Sequence, residues 1–145
     1  MGWERTAAAT STAAPERVWD VLLDGRRWSQ WNRGVEWMVL EGALAPGTRL
    51  TMKPKGAPQT AFRVEAVVPA RVLALVVTFG PLAALRFRWE LAPAGTGTAI
   101  VQTVGIAGPL AGLLLRRAAQ RIAMAMPANL ERLGSRAADG EVGSG

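Results

Sequence analysis

The sequence predicts an α+β protein: a curved seven-stranded antiparallel sheet wrapped around a long C-terminal helix, with two short helices between strands 1 and 2. Three observations predict it. Six runs of β-branched and aromatic residues lie between residues 35 and 106, with turn signals every 8–14 residues, which leaves no room for the helical crossovers that parallel strands require. An apolar helical period then occupies the chain from Leu110 to about Arg136. Ahead of the six runs stands a small-residue strand followed by a helical stretch that begins at a proline.

Thr6 to Ala14 reads as the opening strand. In the run Pro15 to Asp24, Val18, Trp19, Val21 and Leu22 fall at helical spacing, Pro15 suits a first turn, and Glu16 favours the positive end of the helix dipole. Gly25 ends this helix, and Arg26 to Asn32 offers one further turn that puts Trp28 and Trp31 on one face. The meander strands are expected at about 35–42, 48–55, 60–68, 72–79, 84–92 and 98–106, between the marks Pro46-Gly47, Gly56-Ala57-Pro58, Pro69-Ala70, Gly80-Pro81 and Gly95-Thr96-Gly97. Alternation is clearest in Leu85-Arg86-Phe87-Arg88-Trp89-Glu90-Leu91, where odd positions are apolar and even ones charged, so one face is core and the other water. Ile100, Gln102, Val104 and Ile106 share a face, which makes Gln102 a polar residue among inward neighbours. On the long helix Ala111, Leu114, Leu115, Ala118, Ala119, Ile122, Ala125, Met126, Leu130 and Leu133 occupy one arc, with Asn129 near its centre. Pro127 lies inside the pattern and is expected to kink the helix between Ala123 and Pro127.

At 145 residues the chain is expected to be one domain, residues 1–138, followed by a polar, Gly-rich disordered tail at 139–145. Half of the residues are hydrophobic, enough apolar area to offset the ordering entropy. Cysteine, histidine and tyrosine are absent, which excludes disulfide scaffolds, cysteine nucleophiles, Ser-His-Asp triads, zinc fingers and His-ligated metals. No cofactor and no metal site are expected. With no apolar signal segment and no run long enough to span a bilayer, the expected location is the cytoplasm.

The formal net charge is +6, and 15 of the 17 basic residues are arginine. No block reaches the contiguous like charge of a nucleic-acid arm. If Arg49, Lys53, Arg63, Arg86 and Arg88 all point outward, the convex sheet face is basic and open to an anionic partner, an RNA or a membrane surface. Glu65 and Glu90 interrupt that face, and no exposed aromatics are interleaved for base stacking, which disfavours nucleic acid. Transient contact with a membrane surface stays open, as does the choice between monomer and homodimer.

A long helix and a bent sheet must cover each other's apolar faces. The small helix residues Ala111, Ala118, Ala119 and Ala125 leave space between the two, so an internal apolar cavity is predicted. The segments AAPERVWDVLLDGRRWSQWNRGV, GALAPGTRLTMKPKG and RFRWELAPAGTGTAIVQTVGIAGPLAGLL resemble the START-related superfamily of polyketide cyclases, dehydrases and lipid-transfer proteins, over roughly residues 6 to 135. The shared marks are the APxxVW helix start, the WxxW segment, the PGT turn, the GPL passage and the terminal helix. The resemblance implies the helix-grip fold of the birch-pollen allergen and a hydrophobic small molecule held between sheet and helix. Cyclases of the superfamily generally use His, Tyr or Arg in the pocket, and this chain has only the last of these.

The candidate ligand-binding residues are Trp28, Trp31, Trp37, Met52, Phe62, Phe87, Trp89, Gln102, Arg121, Ile122, Met126 and Asn129. Trp28 and Trp31 either plug one end of the sheet or touch the ligand, since the resemblance puts their segment at the cavity mouth. Trp37, Phe87 and Trp89 read as inward or rim strand residues. A buried amide must find partners, so Gln102 and Asn129 bond a ligand carbonyl or hydroxyl, or else water and backbone; for Asn129 that backbone includes the carbonyls freed by Pro127. Arg121 flanks the apolar arc and turns toward a ligand carboxylate or snorkels to solvent. Glu16 and Asp20 lie on an exposed helix face, and Glu36 and Glu41 point to opposite faces of their strand, so neither pair forms an acid–base couple. No catalytic residue is assigned. The leading function is binding of a small hydrophobic or amphipathic molecule for transport or sensing. A cofactor-independent polyketide cyclase, aromatase or dehydratase is the alternative, and an interaction module using the basic face is a second alternative.

Overall fold

The computed structural model describes the backbone of residues 2–143 and the side chains of residues 2–139. The elements run β1 (Trp3–Ser11), α1 (Pro15–Leu23), a 3-10 helix (Gly25–Gln30), β2 (Val35–Leu40), β3 (Arg49–Pro54), β4 (Thr60–Val68), β5 (Val72–Phe79), β6 (Ala83–Ala94), β7 (Gly97–Ala107), α2 (Ala111–Leu114) and α3 (Arg116–Gly143). The strands form one curled antiparallel sheet in the order β1-β7-β6-β5-β4-β3-β2. The predicted meander is therefore present, and the opening strand joins it by pairing with the last one, Trp3 opposite Ile106 and Ser11 opposite Thr98.

α1 starts as its sequence requires, with Pro15 in the first turn and Val18, Trp19 and Leu22 buried. Gly25 does more than end α1. A Cβ built there would lie 1.9 Å from the Met38 carbonyl oxygen, so only glycine lets the 3-10 helix sit directly on β2. That contact sets the height at which Trp28 and Trp31 enter the core, where both are buried.

The C-terminal helical segment is divided. The expected single helix from Leu110 breaks at Leu115, whose φ of −120° and ψ of −14° close α2, while α3 runs on through Pro127. The backbone at 139–143 continues α3, and residues 144–145 of the expected tail lie outside the described residues. Ala119, Met126, Leu130, Leu133 and Ala137 form its buried stripe. The helix is held closest to the sheet at its C-terminal half. There the Ser11 hydroxyl donates to the Gly134 carbonyl at 2.7 Å, and a Cβ on Gly134 would come within 3.0 Å of the Thr10 carbonyl oxygen. Its close neighbours are β1, β7 and α1, so toward β3, β4 and β5 the helix stands off the sheet.

Inward positions follow strand parity with one interruption that bears on the site. In β6, Leu85, Phe87, Trp89 and Leu91 are buried while Arg86, Arg88 and Glu90 are exposed, as the alternation predicts. In β2 the pairing with β3 shifts between Val35 and Trp37, a bulge that makes Glu36 an extra residue. Met38 then faces inward opposite Met52, and Trp37 lies opposite outward Lys53. Among the described residues no helix is long and apolar enough to cross a membrane.

Candidate functional site

Where α3 stands off the sheet, a cavity of about 500 Å³ opens between them. Its sheet wall is built from the inward positions of five adjacent strands: Met52 on β3, Phe62 on β4, Val77 on β5, Phe87 and Trp89 on β6, and Gln102 on β7. Its helix wall is Ala118, Ile122, Ala125, Met126 and Asn129. Two of the four alanines expected to leave space do so, Ala118 and Ala125. Ala111 and Ala119 are fully buried in packing elsewhere.

An aromatic rail runs along the sheet wall. Phe62 meets Phe87 with ring centroids 5.6 Å apart, Phe87 stacks on Trp89 at 6.0 Å and 26°, and Trp89 meets Trp28 edge-on at 5.5 Å. Trp28 closes the inner end, held by its indole N–H, which donates to the Leu22 carbonyl at 2.7 Å. Trp31 sits behind it, 5.0 Å from Trp28 and perpendicular to Trp89. The indole N–H groups of Trp31 and Trp89 are buried without a hydrogen-bond partner, so the cluster is held by ring packing. At the other end the lining residues Lys55, Ala57, Phe79, Ala118 and Arg121 are exposed, which identifies the mouth: the β3–β4 turn, the end of β5 and the first turns of α3.

The polar groups divide sharply. Gln102 is 4% exposed, lies opposite both Trp89 and Ala7 in the ladder, and its amide has no hydrogen-bond partner among the described residues. Its free hydrogen-bonding capacity therefore faces the cavity. Asn129, by contrast, is engaged by protein. Its Oδ1 accepts from the Arg33 backbone N–H at 3.3 Å and from the Arg132 guanidinium, and its Nδ2 donates to Asn32 Oδ1 at 3.3 Å. Arg132 Nε also donates to the Trp31 carbonyl at 3.0 Å. Asn129 thus ties α3 to the segment after the 3-10 helix and makes no bond to the carbonyls near Pro127, one of the alternatives open from sequence.

Ten of the twelve candidate residues line the cavity: Trp28, Met52, Phe62, Phe87, Trp89, Gln102, Arg121, Ile122, Met126 and Asn129. Trp31 does not, because Trp28 and Trp89 screen it. Trp37 does not, because the bulge at Glu36 turns it to the other face. Missed residues fall into two groups. Val77 and Leu85 share the inward parity of β5 and β6 and were legible by alternation, as Leu115 was by the helical arc, whereas Asn32 and Lys55 lie in turns where no period applies. No carboxylate lines the cavity, Glu36 and Glu41 being engaged outside it by Lys53 and Arg49, and no three His, Cys, Asp or Glu side chains gather among the described residues. The site offers apolar contact, amides and two cations.

The outer face places its basic residues outward, as expected, but pairs them. Arg86 meets Glu65 at 2.9 Å, Arg88 meets Glu90 at 2.6 Å, Lys53 meets Glu36 at 3.0 Å and Arg49 meets Glu41 at 3.3 Å. Arg63 donates to the Gly47 carbonyl. A surface groove of about 480 Å³ on this face is bordered by the Arg86–Glu65 pair, Trp3 and Gly105. It is a surface groove with a largely apolar lining, not an interior.

Comparison with known proteins agrees with this geometry. The family model described as "Polyketide cyclase / dehydrase and lipid transport" matches residues 3–138. No curated protein matches. Among solved structures, Ara h 8.0201 superposes with a TM-score of 0.69 at 13% identity, covering 94% of this chain and 98% of that one. Protein MLL2253 from Mesorhizobium loti gives 0.71 at 20% identity, covering 92% and 95%. The di-domain ARO/CYC StfQ from the steffimycin biosynthetic pathway gives 0.70 at 15% identity, covering 99% of this chain and 53% of that one, so the chain spans about half of StfQ. At these identities the structural likeness concerns the fold.

Proposed function

Because the chain belongs to the polyketide cyclase/dehydrase and lipid transport family, we propose that it binds a small hydrophobic or amphipathic molecule in the cavity between its sheet and α3. The observation that carries this reading is the unpartnered Gln102 amide on the wall of an otherwise apolar, aromatic cavity of about 500 Å³. Lining the cavity and bonded to no protein group among the described residues, this amide is free to bond a ligand, each such bond contributing roughly 0.5–1.5 kcal/mol net. A ligand carbonyl or hydroxyl lying against Trp89 bonds the Gln102 amide, while the aromatic rail takes up the apolar body and Lys55 and Arg121 receive an anionic end at the mouth. The volume falls in the ordinary range for such sites, roughly 300–1,000 Å³.

The second reading is a cyclase, aromatase or dehydratase, in line with the family description and the printed title of StfQ. The lining then restricts the chemistry. With no carboxylate, histidine or tyrosine at the wall, a reaction would have to proceed by folding the substrate and polarising a carbonyl with Gln102 or Arg121, without a general acid–base pair.

Native mass spectrometry of protein purified from its own host, combined with titration of an amphipathic anionic fluorophore such as anilinonaphthalene sulfonate, tests the binding reading. A retained small molecule, or saturable one-site binding that quenches Trp28 and Trp89 emission, is expected. Protein that carries nothing and binds neither this dye nor a fatty acid would overturn it. Turnover of a polyketide-like substrate that drops on altering Gln102 would favour the second reading.

A further inference from the structure

Beside the cavity mouth, from Phe79 on its rim outward, lies a group of apolar side chains that have no core to join. The β5–β6 turn exposes Phe79 at 45% and Leu82 at 44%. α2 is stapled to that turn, since the Leu110 backbone N–H donates to the Leu82 carbonyl at 2.9 Å and the Leu82 N–H to the Phe79 carbonyl at 3.2 Å. It exposes Leu110 at 38%, Leu113 at 82% and Leu114 at 53%. The break at Leu115 produces this: Leu115 turns to the cavity wall, and the two leucines before it are left facing water. Scattered exposed leucines are ordinary, but a group brought together from two separate segments marks an interaction surface.

The charge around this group is of one sign. Arg116 and Arg117 open α3 just after Leu115, Arg121 and Lys55 lie at the mouth, and all four are exposed and free of ion pairs among the described residues. From residue 42 to residue 130 the chain has two carboxylates, Glu65 and Glu90, and both are on the outer face of the sheet, paired with Arg86 and Arg88. The outer face, Arg63 apart, is thus neutralised and the mouth is not. A second copy of the chain is a poor occupant, because a two-fold contact over the leucines would oppose Arg116 and Arg117 to their own copies. Nucleic acid would use the arginines and leave the leucines in water.

We propose that this end of the molecule docks on an anionic lipid bilayer, with Leu110, Leu113, Leu114, Phe79 and Leu82 in the interfacial layer and Arg116 and Arg117 against the lipid phosphates. The mouth then opens onto the membrane, so that a ligand passes between bilayer and cavity without crossing water. That passage rests on the binding function proposed above, whereas the docking does not.

Co-sedimentation with phosphatidylcholine vesicles, with and without phosphatidylglycerol, at low and high salt, tests the docking. Binding that requires phosphatidylglycerol and weakens with salt is expected. Leu113→Ser should lower it roughly tenfold, and Arg117→Gln about fivefold. Both side chains are exposed and outside the cavity wall, so circular dichroism and dye binding should stay as in the parent protein. That keeps failure of docking distinct from failure of ligand binding. Absence of binding to anionic vesicles, equal binding to neutral ones, or binding indifferent to Leu113→Ser would overturn the proposal. So would self-association, or capture of an acidic protein, that Leu113→Ser abolishes while vesicles are ignored.

Discussion

Gln102 and Trp89 stand directly opposite each other in the β6–β7 ladder, both facing the cavity, one an amide without a protein partner and the other the centre of an aromatic cluster. The pair sets an apolar surface beside one hydrogen-bonding group, which is the means of orienting a ligand that has a single polar atom on a hydrophobic body.

Gln102→Leu should therefore separate stability from recognition. The amide lines accessible cavity space and bonds no protein group among the described residues, so removing it leaves the stability of the free protein within about 1 kcal/mol of the parent in urea denaturation. Affinity for ligands with a carbonyl or hydroxyl falls by roughly three- to tenfold, the worth of one hydrogen bond, while purely apolar probes bind as before. A marked loss of stability would show instead that the amide is bonded within the protein.

Gly25→Ala should be among the most damaging small changes. The added methyl meets the Met38 backbone carbonyl at 1.9 Å, and backbone cannot swing aside as a flexible side chain can. Lifting the 3-10 helix off β2 displaces Trp28 and Trp31 together. The expected loss is about 2–4 kcal/mol, with a red shift of tryptophan emission as the inner end of the cavity admits water.

Asn129→Ala should loosen the segment after the 3-10 helix from α3. It removes the acceptor for the Arg33 N–H and one partner each of Asn32 and Arg132 at one stroke. A cost of about 2 kcal/mol follows if the bonds are worth their usual net value. The more specific sign is faster amide hydrogen exchange at Arg33, with core strand amides exchanging as before when compared at equal stability.

The tryptophans provide an internal contrast. Trp89 is 1% exposed and central to the rail, so Trp89→Ala should cost roughly 3–5 kcal/mol and abolish dye binding. Trp37 is half-buried on the opposite face, so Trp37→Ala should cost much less and leave dye affinity within twofold of the parent. Equal effects of the two would mean that the bulge at Glu36 does not place Trp37 outside the cavity.

Much of the sheet was legible because its signal is local. In Leu85 to Leu91 each inward residue is apolar and each outward one charged, and a period of two survives any curvature of the strand. The same parity placed Gln102 on the wall. It failed at Trp37, because one extra residue in β2 reverses the face of everything after it, and VEWMVL is apolar on both faces. The helical arc likewise predicted Leu114 as buried, and the break at Leu115 exposes it.

By itself the sequence determined the order of elements, the antiparallel meander, the amphipathic helix and an interior without histidine, cysteine or tyrosine. Tertiary structure alone decided where α3 leaves the sheet, that Gln102 is free while Asn129 is engaged, and which arginines are neutralised. Those outcomes depend on partners far apart in the chain, such as Glu65 with Arg86 or Asn129 with Arg33. Hydrophobic period reports which way a residue faces. Which group it meets there is set only when the sheet closes on the helix and brings the distant strand within hydrogen-bond reach.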